Sequence, residues 1–156
     1  MRIGIISDTH GRFVQPAIIK MGKIDVLIHL GDHFRDIIPF ISTFEIPIHY
    51  VKGNCDAGGN APLELQLNLS GKKFLVTHGH KYDVKMSMKQ LMLKADSINA
   101  DVVLYGHTHI PEIFEENSIL FMNPGSPSYP KTLKGPTVGI IEILDNRLAP
   151  YLISIG

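Results

Sequence analysis

Five short polar clusters, each following an apolar run, constrain this chain most. They are Asp8-Thr9-His10, Gly31-Asp32, Gly53-Asn54, His78-Gly79-His80 and Gly106-His107-Thr108-His109. The runs ahead of them have the length and composition of buried strands. In open α/β sheets, sites gather beyond the carboxyl ends of strands. Clusters remote in sequence can therefore meet at one sheet edge, and a shared site is the expectation.

The first third alternates strand and helix signals. Residues 3–6 read as a buried strand ending at the first cluster. Val14, Ala17, Ile18 and Met21 recur at helical spacing, with Pro16 tolerable in a first turn and Gly22 near the stop. Residues 25–30 and 46–51 give two further strands, ending at Gly31-Asp32 and Gly53-Asn54. Ile37, Ile38, Phe40, Ile41 and Phe44 suit a short helix between them, with Pro39 as a complication. Leu63, Leu65, Leu67 and Leu69 then alternate with polar residues, as in a half-buried strand. Residues 74–77 and 102–105 lead into His78 and Gly106-His107. Between them Met88, Leu91, Met92 and Ala95 lie on one helical face. The rest reads as antiparallel, with Glu115-Glu116-Asn117 separating two short apolar segments and a hairpin about Asp145-Asn146. Early alternation and late hairpins predict a layered α/β fold with mixed sheets.

A chain of 156 residues is most simply one domain, 1–156, with room for a proper core. Fifteen basic residues cancel fifteen acidic ones, which removes any global field for nucleic acid. Cys55 is the only cysteine, so an intramolecular disulfide is excluded and a reducing compartment fits. The opening apolar stretch is too short for a signal-peptide core, and no later run would span a bilayer. A soluble cytoplasmic protein, without a membrane partner, is expected.

Asp8 and His10 are separated by one residue, as are His107 and His109. On extended backbone, residues i and i+2 face the same way, so each pair can reach one cation. Asp32 adds a second carboxylate, able to bridge two metals through its two oxygens. Asn54 adds a neutral oxygen and His78 a further nitrogen. Mixed N/O donors without thiolate favour manganese, iron, zinc, nickel or cobalt over calcium or a structural zinc knot. Glycine precedes Asp32, Asn54 and His107, where positive φ or close backbone approach is expected.

In this order, Asp-x-His, Gly-Asp, Gly-Asn, His-Gly-His and Gly-His-Thr-His resemble the calcineurin-like metallophosphoesterase superfamily. The short length and Gly53-Asn54-Cys55-Asp56 resemble its small single-domain phosphodiesterase branch. The resemblance runs from Ile3 to Ser126. It implies a four-layer α/β/β/α sandwich with two mixed β-sheets and metals at one edge. It implies that Asp8, His10 and His109 hold one divalent ion and Asn54, His78 and His107 another, with Asp32 bridging. A hydroxide between the ions would attack phosphorus in line with the leaving oxygen. Asp32 and Asn54 would position that water and the phosphate. Manganese is the first expectation for the ions, with nickel, zinc, iron, cobalt or magnesium as alternatives. The implied partner is a phosphate-ester substrate, with a metal-dependent phosphomonoesterase or nucleotidase as the neighbouring reading. A retromer subunit similar in fold serves as a protein-binding scaffold. That reading predicts a lost ligand, whereas every ligand position here is filled.

Two departures from the family pattern stand out. Where Gly-Asn-His is common, this chain has Cys55. A thiol of pKa roughly 8.5 is a poorer acid near neutrality than an imidazolium of about 6.5, so slower turnover or a need for a good leaving group is expected. A catalytic role for Cys55 is set beside that of a small filler. In Gly-Asp-x-x-Asp, Arg35 takes the last place and Asp36 follows. His29 reads as a core histidine, and His33 and His80 as residues able to face the cleft. The turn Asn123-Pro124-Gly125-Ser126 is expected near the site, with Ser126 or its amides able to meet a phosphate. Arg12, close to Asp8 in sequence, is placed to do the same.

Overall fold

Strands that are apolar on both faces need cover on both sides, and the computed structural model, which describes residues 1–12 and 14–156, supplies it. Along the chain run β1 (Arg2–Ile6), α1 (Val14–Met21), β2 (Val26–His29), α2 (Ile38–Ile41), β3 (Ile48–Tyr50), β4 (Glu64–Leu69) and β5 (Lys72–Thr77). They are followed by α3 (Lys89–Ser97), β6 (Val102–Leu104), β7 (Glu112–Glu116), β8 (Ile119–Asn123), β9 (Thr137–Leu144) and β10 (Arg147–Ser154). Two five-stranded sheets result, ordered β10-β9-β1-β2-β3 and β4-β5-β6-β8-β7. Both are mixed: β1 runs parallel to β2 but antiparallel to β9, and β5 runs parallel to β6 but antiparallel to β4.

Three apolar layers hold the sheets and helices together. Between the sheets, Ile3, Ile5, Val26 and Ile28 of the first face Phe74, Val76, Leu104 and Met122 of the second. Each such buried side chain contributes about 1.5–3 kcal/mol of transfer free energy. On the outer face of the first sheet, Val14, Ala17, Ile18 and Met21 of α1 pack on Ile6, Leu27 and Ile140. On the outer face of the second, Leu91 and Ala95 of α3 pack on Leu75 and Val103, with Met88 and Met92 half-buried beside them. This is the α/β/β/α sandwich. Among the described residues, no helix is long and apolar enough to cross a membrane.

Three details differ from the sequence expectation. The tail is not wholly antiparallel, because β8 lies parallel to β6. All five residues of β8 are buried, so it needs a neighbour on each side, and β7 takes the exposed edge instead. Glu115 and Glu116 are therefore edge-strand residues rather than turn residues. Charges there discourage pairing with another chain. The turn is Asn117-Ser118, with φ of 51° and 62°, the same mirror-type geometry as Asp145-Asn146 at 48° and 63°. The second helix breaks into a 3₁₀ turn, Phe34–Ile37, and the single turn α2, which begins with Pro39 in its first positions. Leu63 lies exposed just outside β4, while Leu65, Leu67 and Leu69 pack toward the inter-sheet core.

Candidate metal centre

The parallel strands of both sheets end at one edge, and the polar clusters follow them there. Asp8 and His10 come after β1, Asp32 after β2, His78 after β5, and His107 and His109 after β6. Donor atoms of Asp8, His10, Asp32 and His109 lie within 4.8 Å of one another, and so do those of Asp32, His78 and His107. Asp32 belongs to both groups. His109 Nε2 stands 3.2 Å from Asp8 Oδ1, His78 Nε2 3.4 Å from Asp32 Oδ1, and His10 Nε2 3.9 Å from Asp32 Oδ2.

The local backbone explains why so many donors fit one place. Asp8 (φ 56°), His10 (46°), Asp32 (56°), His107 (70°) and His109 (61°) all adopt the left-handed region. That conformation costs roughly 1–3 kcal/mol per non-glycine residue and persists only where surroundings enforce it. Sequence reading expects the glycines before Asp32, Asn54 and His107 to share this role. Among them only Gly31 has a positive φ. Gly53 and Gly106 serve close approach instead. A Cβ on Gly53 would strike the Asp32 carboxylate, and one on Gly106 would strike Ser7 Oγ and lie 2.8 Å from Asp8 Oδ2.

A second layer fixes each donor. His78 Nδ1 meets the Leu30 carbonyl at 2.8 Å, and His109 Nδ1 meets that of Tyr129 at 2.8 Å. Each ring thus donates its Nδ1–H outward and turns Nε2 inward. Ser7 Oγ donates to Asp8 Oδ2 at 2.6 Å, as does the His107 N–H at 3.1 Å, which leaves Oδ1 for the centre. The Cys55 N–H holds Asp32 Oδ1 at 2.8 Å. Asp56 ties the Gly53 loop to the Asp32 loop, accepting from the N–H of Gly53 and of His33, both at 2.8 Å.

Asp8 Oδ1, His10 Nε2 and His78 Nε2 are buried without a hydrogen-bond partner. Unpartnered buried polar atoms are costly, and this convergence of carboxylate oxygens and imidazole nitrogens fits a divalent cation.

The electrostatics agree. Burial alone would raise the Asp8 carboxyl, but His109, His78 and Ser7 hold it below its ordinary value. Asp32 is depressed likewise, as His78 and Cys55 outweigh burial. Burial opposes a proton on His78, yet Asp32 and Asp8 raise it. The Asp8 carboxylate also raises His109. Burial, then His78 and Lys85, lowers His107 to about 4. Burial lowers His10 against the pull of Asp32 and Asp8.

The remaining candidates separate clearly. Asn54 is exposed at the rim, its amide 3.5 Å from Cys55 Sγ. Cys55 is exposed, but partial desolvation of its thiol, together with Asp32, pushes it up to about 11. His33 and His10 have ring centroids 5.1 Å apart, and His80 and His78 lie 5.4 Å apart. His29 is a fully buried core residue. Its Nδ1 accepts the Gly31 N–H at 3.0 Å and its Nε2 meets Thr9 Oγ1 at 3.1 Å. Asp36 accepts from the Thr9 hydroxyl at 2.6 Å and the Gly11 N–H at 2.7 Å, so it braces the first loop. Ser126 is fully buried and already engaged. It donates to the Asp8 carbonyl at 2.8 Å and accepts the N–H of Ser128 and of Tyr129. It is a brace rather than a phosphate contact. Sequence reasoning placed the Asn123 turn near the site but missed the bracing roles of Asn123 and of Ser7. Asn123 donates to the Gly106 carbonyl at 2.9 Å and holds the Gly106–His109 loop. The position of Asn123 just before a Pro-Gly turn was the available signal.

The family model for the calcineurin-like phosphoesterase superfamily domain matches residues 1–146. The chain belongs to that superfamily, which supports a phosphoesterase hydrolase activity, and its clustered His and Asp donors suit divalent metal use. It is 32% identical to the probable metallophosphoesterase YsnB of Bacillus subtilis, over 92% of this chain and 85% of that protein. A predicted phosphoesterase from Streptococcus pneumoniae superposes with a TM-score of 0.83 at 30% identity, covering 99% of this chain and 89% of that one. A structure described as a novel archaeal phosphodiesterase gives 0.74 at 26% identity, covering 98% and 100%. Vacuolar protein sorting-associated protein 29 of Schizosaccharomyces pombe is 28% identical over 85% of this chain and 68% of that protein.

Proposed function

We propose that this protein is a divalent-metal-dependent phosphodiesterase. One ion would be held by Asp8, His10, Asp32 and His109, and a second by Asp32, Asn54, His78 and His107. The observation that carries the reading is the pair of donor groups sharing Asp32 around buried, unpartnered atoms of Asp8, His10 and His78. When bound, such paired cations lower the pKa of water and neutralise charge on phosphoryl oxygens during in-line displacement.

The chain's own residues prepare that chemistry. The carbonyls of Leu30 and Tyr129 hold the rings of His78 and His109 in one tautomer and orientation. The Cys55 N–H and Ser7 hydroxyl hold the two carboxylates, so little reorganisation accompanies reaction. Asn54 and Cys55 stand exposed at the mouth, where a substrate arrives. The Asn54 amide is assigned to phosphate positioning. A thiol at Cys55, with an ordinary pKa of roughly 8.5, is a weaker proton donor near neutrality than an imidazolium. Esters with good leaving groups are therefore the preferred substrates. Manganese is the preferred ion, and the cytoplasm, where a lone cysteine stays reduced, is the expected location.

The scaffold reading, to which the vacuolar sorting relative corresponds, is disfavoured because every donor position is filled. The test is an assay of metal-free protein against bis(p-nitrophenyl) phosphate and p-nitrophenyl phosphate, with each divalent cation restored in turn. Metal-dependent turnover, faster for the diester, is expected. A faster monoester reaction would assign a phosphomonoesterase, and no metal-dependent turnover with any cation would sink the enzyme reading.

A further inference from the structure

Residues 126–131, just beyond β8, touch donor loops from both sheets. Ser126 Oγ donates to the Asp8 carbonyl at 2.8 Å. Ser128 Oγ lies 2.5 Å from the Thr9 carbonyl and 2.9 Å from that of Arg12, the two ends of the turn that carries His10. The Arg12 N–H closes that turn on the Thr9 carbonyl at 3.0 Å. Its central residues, His10 and Gly11, have φ of 46° and 79°. A histidine keeps such a conformation only where its surroundings enforce it, and the Ser128 hydroxyl grips both ends of the turn. The Tyr129 ring stands edge-on to the His10 ring at 5.4 Å, and the Arg12 guanidinium lies over it at 5.9 Å. On the second sheet's loop, His109 is held at two points. Its Nδ1 meets the Tyr129 carbonyl at 2.8 Å, and its own carbonyl accepts the Lys131 N–H at 3.2 Å. Pro127 and Pro130 restrict φ along the segment and stiffen it. Asp32, His78 and His107 bond elsewhere, to the Cys55 N–H, the Leu30 carbonyl and the Asp8 carboxylate. Among the described residues, none of the segment's hydrogen bonds reaches them or Asn54.

We propose that this segment is a strap that tunes one ion of the pair. Ser128 and Tyr129 are positioning residues for the ion of Asp8, His10 and His109, acting through those ligands, and they leave the ion of His78 and His107 unaffected. The proposal rests on the two-ion reading above and deepens it, because it makes the two cations separately adjustable. The physical reason is preorganisation. Without the Ser128 hydroxyl the His10 turn relaxes from its left-handed conformation, and a cation must restore that conformation on binding.

Calorimetric titration of the metal-free protein with manganese tests it, in backgrounds that each leave one donor group whole. In His107→Ala, where the first group is whole, Ser128→Ala should weaken manganese binding at least about tenfold. In His109→Ala, where the second group is whole, the same change should alter binding by less than about threefold. Tyr129→Ala keeps the carbonyl that His109 meets but removes the ring beside His10. It should show the same one-sided loss, and it carries the test alone if urea unfolding shows that Ser128→Ala does not fold. Equal weakening in the two backgrounds, or none in His107→Ala, overturns the proposal. A parent protein that takes a single manganese strikes the two-ion reading alone if Ser128→Ala still weakens that ion, and both readings if it does not. Hydrolysis of bis(p-nitrophenyl) phosphate reports separately on catalysis. Absent turnover with the one-sided loss intact strikes only the catalytic reading.

Discussion

The two sheets bring different chemistry to the same edge. Loops after β1 and β2 supply both carboxylates, Asp8 and Asp32, together with His10. Loops after β5 and β6 supply imidazoles alone, His78, His107 and His109. The carboxylates are braced by N–H and O–H donors, and two of the imidazoles by backbone carbonyls. One sheet thus contributes charge and the other contributes nitrogens that charge can orient. The centre is a seam, and it exists only because the sheets dock face to face.

The largest effect should come from the residue that both donor groups share. Asp32→Asn keeps an acceptor for the Cys55 N–H but removes the charge between the sheets. Manganese affinity and diester turnover should each fall at least about a hundredfold, read by metal titration and steady-state kinetics. His107→Ala, which belongs to one donor group, should cost less.

Next comes the seam itself. Leu104 lies between the sheets and Leu91 on the inner face of α3, and both are fully buried. Either one changed to Ala should cost about 2–5 kcal/mol in urea unfolding of the metal-free protein. Leu104→Ala should also weaken manganese binding, and Leu91→Ala should not. Equal loss of metal affinity in both would show that general destabilisation, not sheet docking, controls the centre.

A smaller effect separates the imidazoles by pH. Asp8 and Asp32 are depressed and so already ionised above about pH 4. His10 and His107 are lowered and so already neutral near pH 6.5. His78 and His109 are raised, so they hold protons that a metal must displace. Apparent manganese affinity should therefore fall as pH drops through their raised values and level off above them. Calorimetry in buffers of different ionisation enthalpy should count roughly two protons released on the acid side of that step. Release of none would contradict the carboxylate–imidazole pairing.

The smallest effect is expected at the rim. Cys55→Ala leaves the backbone N–H to Asp32 in place, and kcat/KM for a diester with a good leaving group should change by less than about threefold. A loss of a hundredfold would restore a catalytic role to the thiol.

Much of this was legible in the chain. The buried face of α1 was visible at Val14, Ala17, Ile18 and Met21, because a 3.6-residue period leaves a direct mark. The hairpin at Asp145-Asn146 was equally plain, since its two residues tolerate positive φ. The place of β8 was not, because an apolar run records burial but not the direction of its neighbour. Ser126 shows the same limit at the site. A serine beside a Pro-Gly turn suits a ligand contact or a brace, and only its burial and three hydrogen bonds decide for the brace.

Residue types and their order by themselves determined the donor chemistry, since carboxylates, imidazoles and an amide after apolar runs are written in the chain. Tertiary structure alone decided how closely the two groups of donors stand, that left-handed turns fall on the donor residues, and that Ser126 braces the Asp8 loop. The physical reason is that these arrangements depend on distances between the ends of different strands, which sheet order and docking set and local sequence does not encode.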